Sequence, residues 1–103
     1  LKVETVVTAD QTRVVVSGDV DLYSSPELRK AVLAAAPRAA AVVAVDLGGV
    51  TYMDSSGVAT LVEGLRSAKE HGKIFLLVAP SPAVLKVLEL ARLDSVFEVR
   101  PER

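Results

Sequence analysis

Apolar and polar positions alternate at the start of the chain. Leu1, Val3 and Val7 share one parity and Lys2 and Glu4 the other, the period of a half-exposed strand. Asp10-Gln11-Thr12 reads as a turn. Arg13 to Ser17, built on Val14-Val15-Val16, reads as a second strand, so the two form a hairpin. Gly18 then breaks the run, and Asp19-Val20-Asp21-Leu22-Tyr23 reads as a loop. Ser25-Pro26-Glu27 is a helix start: Ser25 suits the cap, Pro26 the first turn, and Glu27 the positive helix end. Leu28, Ala31, Val32 and Ala35 recur at helical spacing, and Pro37 ends the helix.

Ala41 to Leu47 is a continuous apolar run with β-branched residues, the pattern of a central strand covered on both faces. Gly48-Gly49 reads as a turn. A second helix follows Asp54-Ser55-Ser56-Gly57, with Val58, Leu61, Val62, Leu65 and Ala68 on its apolar stripe and Gly72 at its end. Lys73 to Ala79 is another buried strand. Ser81-Pro82 opens a third helix, whose inner face is Val84, Val87, Leu88 and Ala91. Val96 to Val99 is a short last strand. The order β-β-α-β-α-β-α-β implies an α/β fold: a single-layer mixed sheet with helices packed on it and right-handed crossovers.

Composition narrows the chemistry. The 103 residues suit one domain. There is no cysteine, which excludes disulfides and thiolate metal sites. A formal net charge of -1 argues against a general nucleic-acid binder. Two Phe and two Tyr offer no base-stacking platform. No apolar run approaches the ~20 residues of a membrane span. No secretory signal is visible, and the expected location is cytoplasmic.

The segment with chemistry is Met53-Asp54-Ser55-Ser56-Gly57. It feeds a helix N-terminus, where unpaired amides and the helix dipole favour an anion. A phosphate added to a serine there would carry about -1.5 to -2 charges without unfolding the helix. Asp and Ser are equally good helix caps, so these residues alone also fit a purely structural role.

Wider context gives the segment meaning. Gly18-Asp19-Val20-Asp21, Ser25-Pro26-Glu27-Leu28, the stretch from Val45-Asp46-Leu47 to Gly57, and Ser81-Pro82-Ala83-Val84 occur in this order. Together they resemble the STAS domain, most closely the bacterial anti-sigma factor antagonists. The resemblance covers nearly the whole chain, and Tyr52 to Gly57 is its most specific part. It implies a non-enzymatic regulator whose unphosphorylated form binds an anti-sigma factor that is also a serine kinase, releasing the sigma factor. Phosphorylation ends that binding, and a metal-dependent phosphatase of the PP2C type resets it.

Carried across, the acceptor is Ser56, with Ser55 as the alternative. Asp54 orients the site, and Asp21 matches the family's acidic position beside the acceptor. Asp19 holds a more variable position. The expected partner face comprises Asp21, Leu22, Tyr23, Asp54, Ser55 and Gly57, with Val58 and Ala59 adding apolar contact. No cofactor, metal, nucleic acid or membrane is implied, and a monomer is expected. The other reading within the family is a scaffold module of a stress-signalling, lipid-transport or anion-transport complex.

Enzyme readings fare worse. The sole histidine, His71, would lie about 22 Å along a helix from Ser56 at ~1.5 Å per residue. It reads as an exposed helix-end residue. A phosphoaspartate receiver centred on Asp46 would need further acids around it, and no Gly-rich phosphate loop of either common pattern is present.

Overall fold

The computed structural model describes residues 1–102. Its elements are β1 (Lys2–Val7), β2 (Gln11–Val20), α1 (Ser25–Ala35), β3 (Val42–Met53), α2 (Ser55–Glu70), β4 (Ile74–Val78), α3 (Pro82–Leu90) and β5 (Glu98–Arg100). They form one mixed sheet in the order β1-β2-β3-β4-β5. Strand β1 is antiparallel to β2, and β2 to β5 run parallel. The fold class is the one the element order implied.

Each parallel connection steps one strand in the same direction, so right-handed crossovers put all three helices on one face. Helix α2 lies between α1 and α3 and touches both. Register aligns Val14, Val45 and Leu77 across β2, β3 and β4. These side chains meet Leu28 and Val32 of α1, Leu61 of α2, and Val84 and Leu88 of α3 in the core. Small and branched side chains let the helices sit close to the sheet. A Cβ on Gly64 of α2 would collide with Val32 of α1.

Among the described residues no helix lies on the other face of the sheet, yet β3 is covered on both faces, as its apolar run implies. Val43 to Leu47 are all buried. Over Ala44 and Asp46, however, the cover comes from neighbouring strands. Arg13 pairs with Ala44 in the register and reaches Asp46, Nη1 to Oδ2 3.7 Å. Asp46 Oδ1 also accepts from the Gly48 amide at 3.0 Å. Two short side chains can be hidden in this way without a second helix layer.

Both glycine signals predict breaks, and neither ends its strand. β2 continues through Gly18 to Val20, and β3 continues through Gly48-Gly49 to Met53. The two strands go on satisfying each other's backbone, with register shifts near Ser17 and Gly18. Gly49 permits the close approach, since a Cβ there would stand 2.8 Å from the Cβ of Ser17.

Smaller corrections follow from the same ladders and caps. The first turn is held by Thr8, whose Oγ1 accepts from the amides of Asp10 and Gln11, so Gln11 and Thr12 already belong to β2. On β1, Val3 is half-buried while Leu1 and Val7 are exposed, since β1 is an edge strand paired only with β2. Ser25 is the first residue of α1 rather than its cap, and Ser24 precedes the helix. Ala91 ends α3 as its exposed C-cap, outside the buried face. The last strand begins at Glu98.

Candidate functional site

The prolonged ends of β2 and β3 carry the candidate residues. Asp19 pairs with Tyr52 and Val20 with Met53. One step further, the Asp54 amide donates to the Val20 carbonyl at 3.1 Å. The Asp19–Tyr23 segment and the Asp54–Gly57 segment therefore meet in space. Thr51 adds a cross-strand bond, its Oγ1 donating to Asp19 Oδ1 at 2.7 Å. Thr51 has no partner in the register, since it lies at the shift between the Gly18–Val50 and Asp19–Tyr52 pairs, and this irregularity is not written in the sequence pattern.

Asp54 caps α2. Its Oδ1 accepts from the Ser56 amide at 2.9 Å, and its carbonyl accepts from the amides of Gly57 and Val58 at 3.1 and 3.2 Å. The expected cluster of unpaired amides is thus largely consumed by the cap, leaving that of Ser55 without a partner among the described residues. Thr60 Oγ1 donates to the Ser56 carbonyl at 3.0 Å and steadies the first turn. Ser55 is exposed and Ser56 half-buried. Neither hydroxyl has a hydrogen-bond partner among the described residues, so both remain available for chemistry.

Gly57 explains how α2 starts so close to the strand ends. A Cβ there would lie 2.6 Å from Met53 Cγ and 2.9 Å from Val20 Cγ1. Gly57 is buried, as is Val58, which belongs to the core. The expectation that Val58 contributes exposed apolar contact is therefore corrected: the helix turns its side chain inward. Ala59 is exposed.

Asp21 organises the loop before α1. Its Oδ1 accepts from the amides of Tyr23 and Ser24, each at 2.9 Å, and from Ser24 Oγ at 3.1 Å. The bonds from Ser24 are the main reason its carboxyl lies below the usual value of 3.8. Ser24 Oγ in turn accepts from the Asp21 amide at 2.9 Å. This reciprocal pair folds the loop but caps no α1 amide; the first amides of α1 are met by backbone, Ser25 donating to the Asp21 carbonyl at 2.8 Å and Glu27 to the Ser24 carbonyl at 3.1 Å. The loop holds Leu22 and Tyr23 outward, 65% and 91% exposed.

The other acids and His71 lie elsewhere. Asp46 is buried at 3% exposure beside Arg13, on the sheet face away from the helices. His71 is the exposed C-cap of α2, with Nδ1 2.8 Å from the Ser67 carbonyl. Among the described residues no group of three or more His, Asp or Glu could hold a metal. Among the described residues no helix is long and apolar enough to cross a membrane.

Comparison with known proteins places the chain in a family and supports its fold. An anti-sigma-B factor antagonist of Staphylococcus epidermidis is 27% identical over 99 residues, spanning 96% of this chain and 92% of that protein. The crystal structure of an anti-sigma factor antagonist from Mycobacterium paratuberculosis superposes with a TM-score of 0.85 at 25% identity, covering 97% of this chain and 85% of that one. The Bacillus cell fate determinant SpoIIAA in its phosphorylated form shares the fold, with a TM-score of 0.73 at 21% identity over 95% of this chain and 90% of that one. The sequence model described as "Mlab, STAS domain" matches residues 4–100, and the chain belongs to the STAS domain family.

Proposed function

We propose that this protein is an anti-sigma factor antagonist switched by phosphorylation of Ser56. The observation that carries the reading is the unengaged Ser56 hydroxyl at the second residue of α2, beside the Asp54 carboxylate. Relatives that match nearly the whole chain are named anti-sigma-B factor antagonists. A fold neighbour is known in a phosphorylated form.

The chemistry is that of a substrate, not a catalyst. A serine kinase, itself the anti-sigma factor, would transfer the γ-phosphoryl of ATP to Ser56 Oγ. The bond to ADP breaks, and the hydroxyl proton passes to a base of the kinase. The phosphate adds about -1.5 to -2 charges beside Asp54. A partner surface that fits the neutral hydroxyl then faces a concentrated negative charge in a low-dielectric contact, and binding is lost. A PP2C-type phosphatase restores the hydroxyl.

The test is incubation with the organism's own anti-sigma factor kinase and ATP, followed by mass analysis and pull-down. Wild type should gain one phosphoryl group and lose the kinase from the pull-down. Ser56→Ala should stay unmodified and bound. Modification that persists in Ser56→Ala and disappears in Ser55→Ala would move the acceptor to Ser55. No modification of any variant would end the switch reading.

A further inference from the structure

The apolar side chains of α3 exceed what its buried face needs. Val84 and Leu88 fill the core, yet Leu85 and Leu90 stand in solvent, Leu90 at 74% exposure. Next to this outer side, Tyr52, Met53, Ala83, Lys86, Val87 and Leu90 line a cleft of about 250 Å³. Its wall is almost wholly apolar, and the exposed residues Lys86 and Tyr52 contribute to it chiefly through their carbon atoms. Tyr52 is itself half in solvent, at 51% exposure.

Position ties this cleft to the serine site. β2 lies on one side of β3, and β4, which leads into α3, lies on the other. The Asp19–Tyr23 segment and α3 therefore flank the end of β3 from opposite sides. Met53 is three residues from Ser56, at most about 11 Å of chain. A stable interface covers about 800 Å² per partner, a disc of roughly 16 Å radius. A protein docked over Ser56 with a footprint of that size reaches the cleft.

We propose that the cleft between the end of β3 and α3 is the second half of the partner surface. It receives an aliphatic side chain of the anti-sigma factor, with a carboxylate of that factor set against Lys86. The inference rests on the function proposed above. The surface then has two unlike sides. One presents acids with Leu22 and Tyr23, and the other presents an apolar slot with a cation. Such asymmetry fixes the orientation in which a partner can approach the serine.

The experiment measures binding of the anti-sigma factor to wild type, Leu90→Ser, Lys86→Glu and Ser56→Asp, with a photo-crosslinking residue placed at position 90 in a separate variant. Leu90 and Lys86 are exposed, so both substitutions should leave the thermal midpoint unchanged. Leu90→Ser should weaken binding about ten-fold or more, the loss of an interface anchor. Lys86→Glu should weaken it too, and the salt dependence should change. Irradiation should join position 90 to the anti-sigma factor.

Wild-type affinity in both variants, with Ser56→Asp still released, would overturn the cleft assignment and leave the serine switch standing. Crosslinks only to a second copy of this chain would overturn it as well. Failure of wild type to bind the anti-sigma factor at all would overturn both.

Discussion

The amide of Asp54 donates to the carbonyl of Val20 at 3.1 Å. This bond continues the β2–β3 ladder one residue beyond the last paired positions, Val20 and Met53. The cap of α2 is therefore fastened to the sheet by its own backbone. The serines that follow inherit their position from two strands rather than from a flexible loop.

Ser56→Asp should leave thermal stability almost unchanged. Ser56 is the second residue of α2, where a negative charge is tolerated or favoured by the helix dipole, by at most about 1 kcal/mol. Thermal denaturation of the two proteins checks this. A large fall in the midpoint would show that the serine side chain holds the fold.

Gly57→Ala should destabilise by about 1–3 kcal/mol, the usual cost of overpacking. The added methyl meets the stem of Met53 and the stiff branch of Val20, both buried side chains. Urea denaturation reads the loss. A neutral result would mean that α2 can lift away from the strand ends.

Asp54→Ala removes the cap of α2 and should cost about 0.5–2 kcal/mol. Asp54→Asn, which keeps an acceptor for the Ser56 amide, should recover most of that loss. Equal stability of all three proteins would show that Oδ1 contributes little.

Asp21 supplies the pH dependence. Its carboxyl is lowered below 3.8 in the folded protein, mainly by the bonds from Ser24. A depressed carboxyl stabilises the fold above its unfolded value, and that contribution is lost as pH falls through the folded value. The stability gap between wild type and Asp21→Ala should be full at neutral pH and close in acid. Denaturation at several pH values measures the gap, and an NMR titration of Asp21 locates the group. An Asp21 titrating above 3.8 would contradict the bonding at the loop.

The alternation and helical spacing of the sequence suffice for the element order and for most of the core. Leu28, Val32, Leu61, Val84 and Leu88 are all buried. Spacing is a local signal, and these contacts repeat a local period. The strand ends were not legible in the same way. Gly18 and Gly48-Gly49 look like breaks in a one-dimensional reading, and only the pairing partner shows that the strands persist. Val58 carries two expectations, a place on the apolar stripe of α2 and one on the partner face, and its burial agrees with the stripe. The Ser24–Asp21 exchange was hidden because it lies in the loop before α1, where no periodicity points to a partner. Asp54, Ser55 and Ser56 were legible because a cap and a free hydroxyl are written in contiguous residues.

The mutual extension of β2 and β3 has a consequence for motion. Opening the serine segment requires breaking strand pairs continuous with the buried centre of the sheet. Its backbone should therefore exchange hydrogen with solvent as part of the sheet's cooperative unit, not as a fraying loop. Slow exchange at the amide of Asp54, alongside those of the central strands, would be its signature. A group attached at Ser56 would thus ride on a rigid mount, altering what the surface displays while the backbone beneath keeps its course.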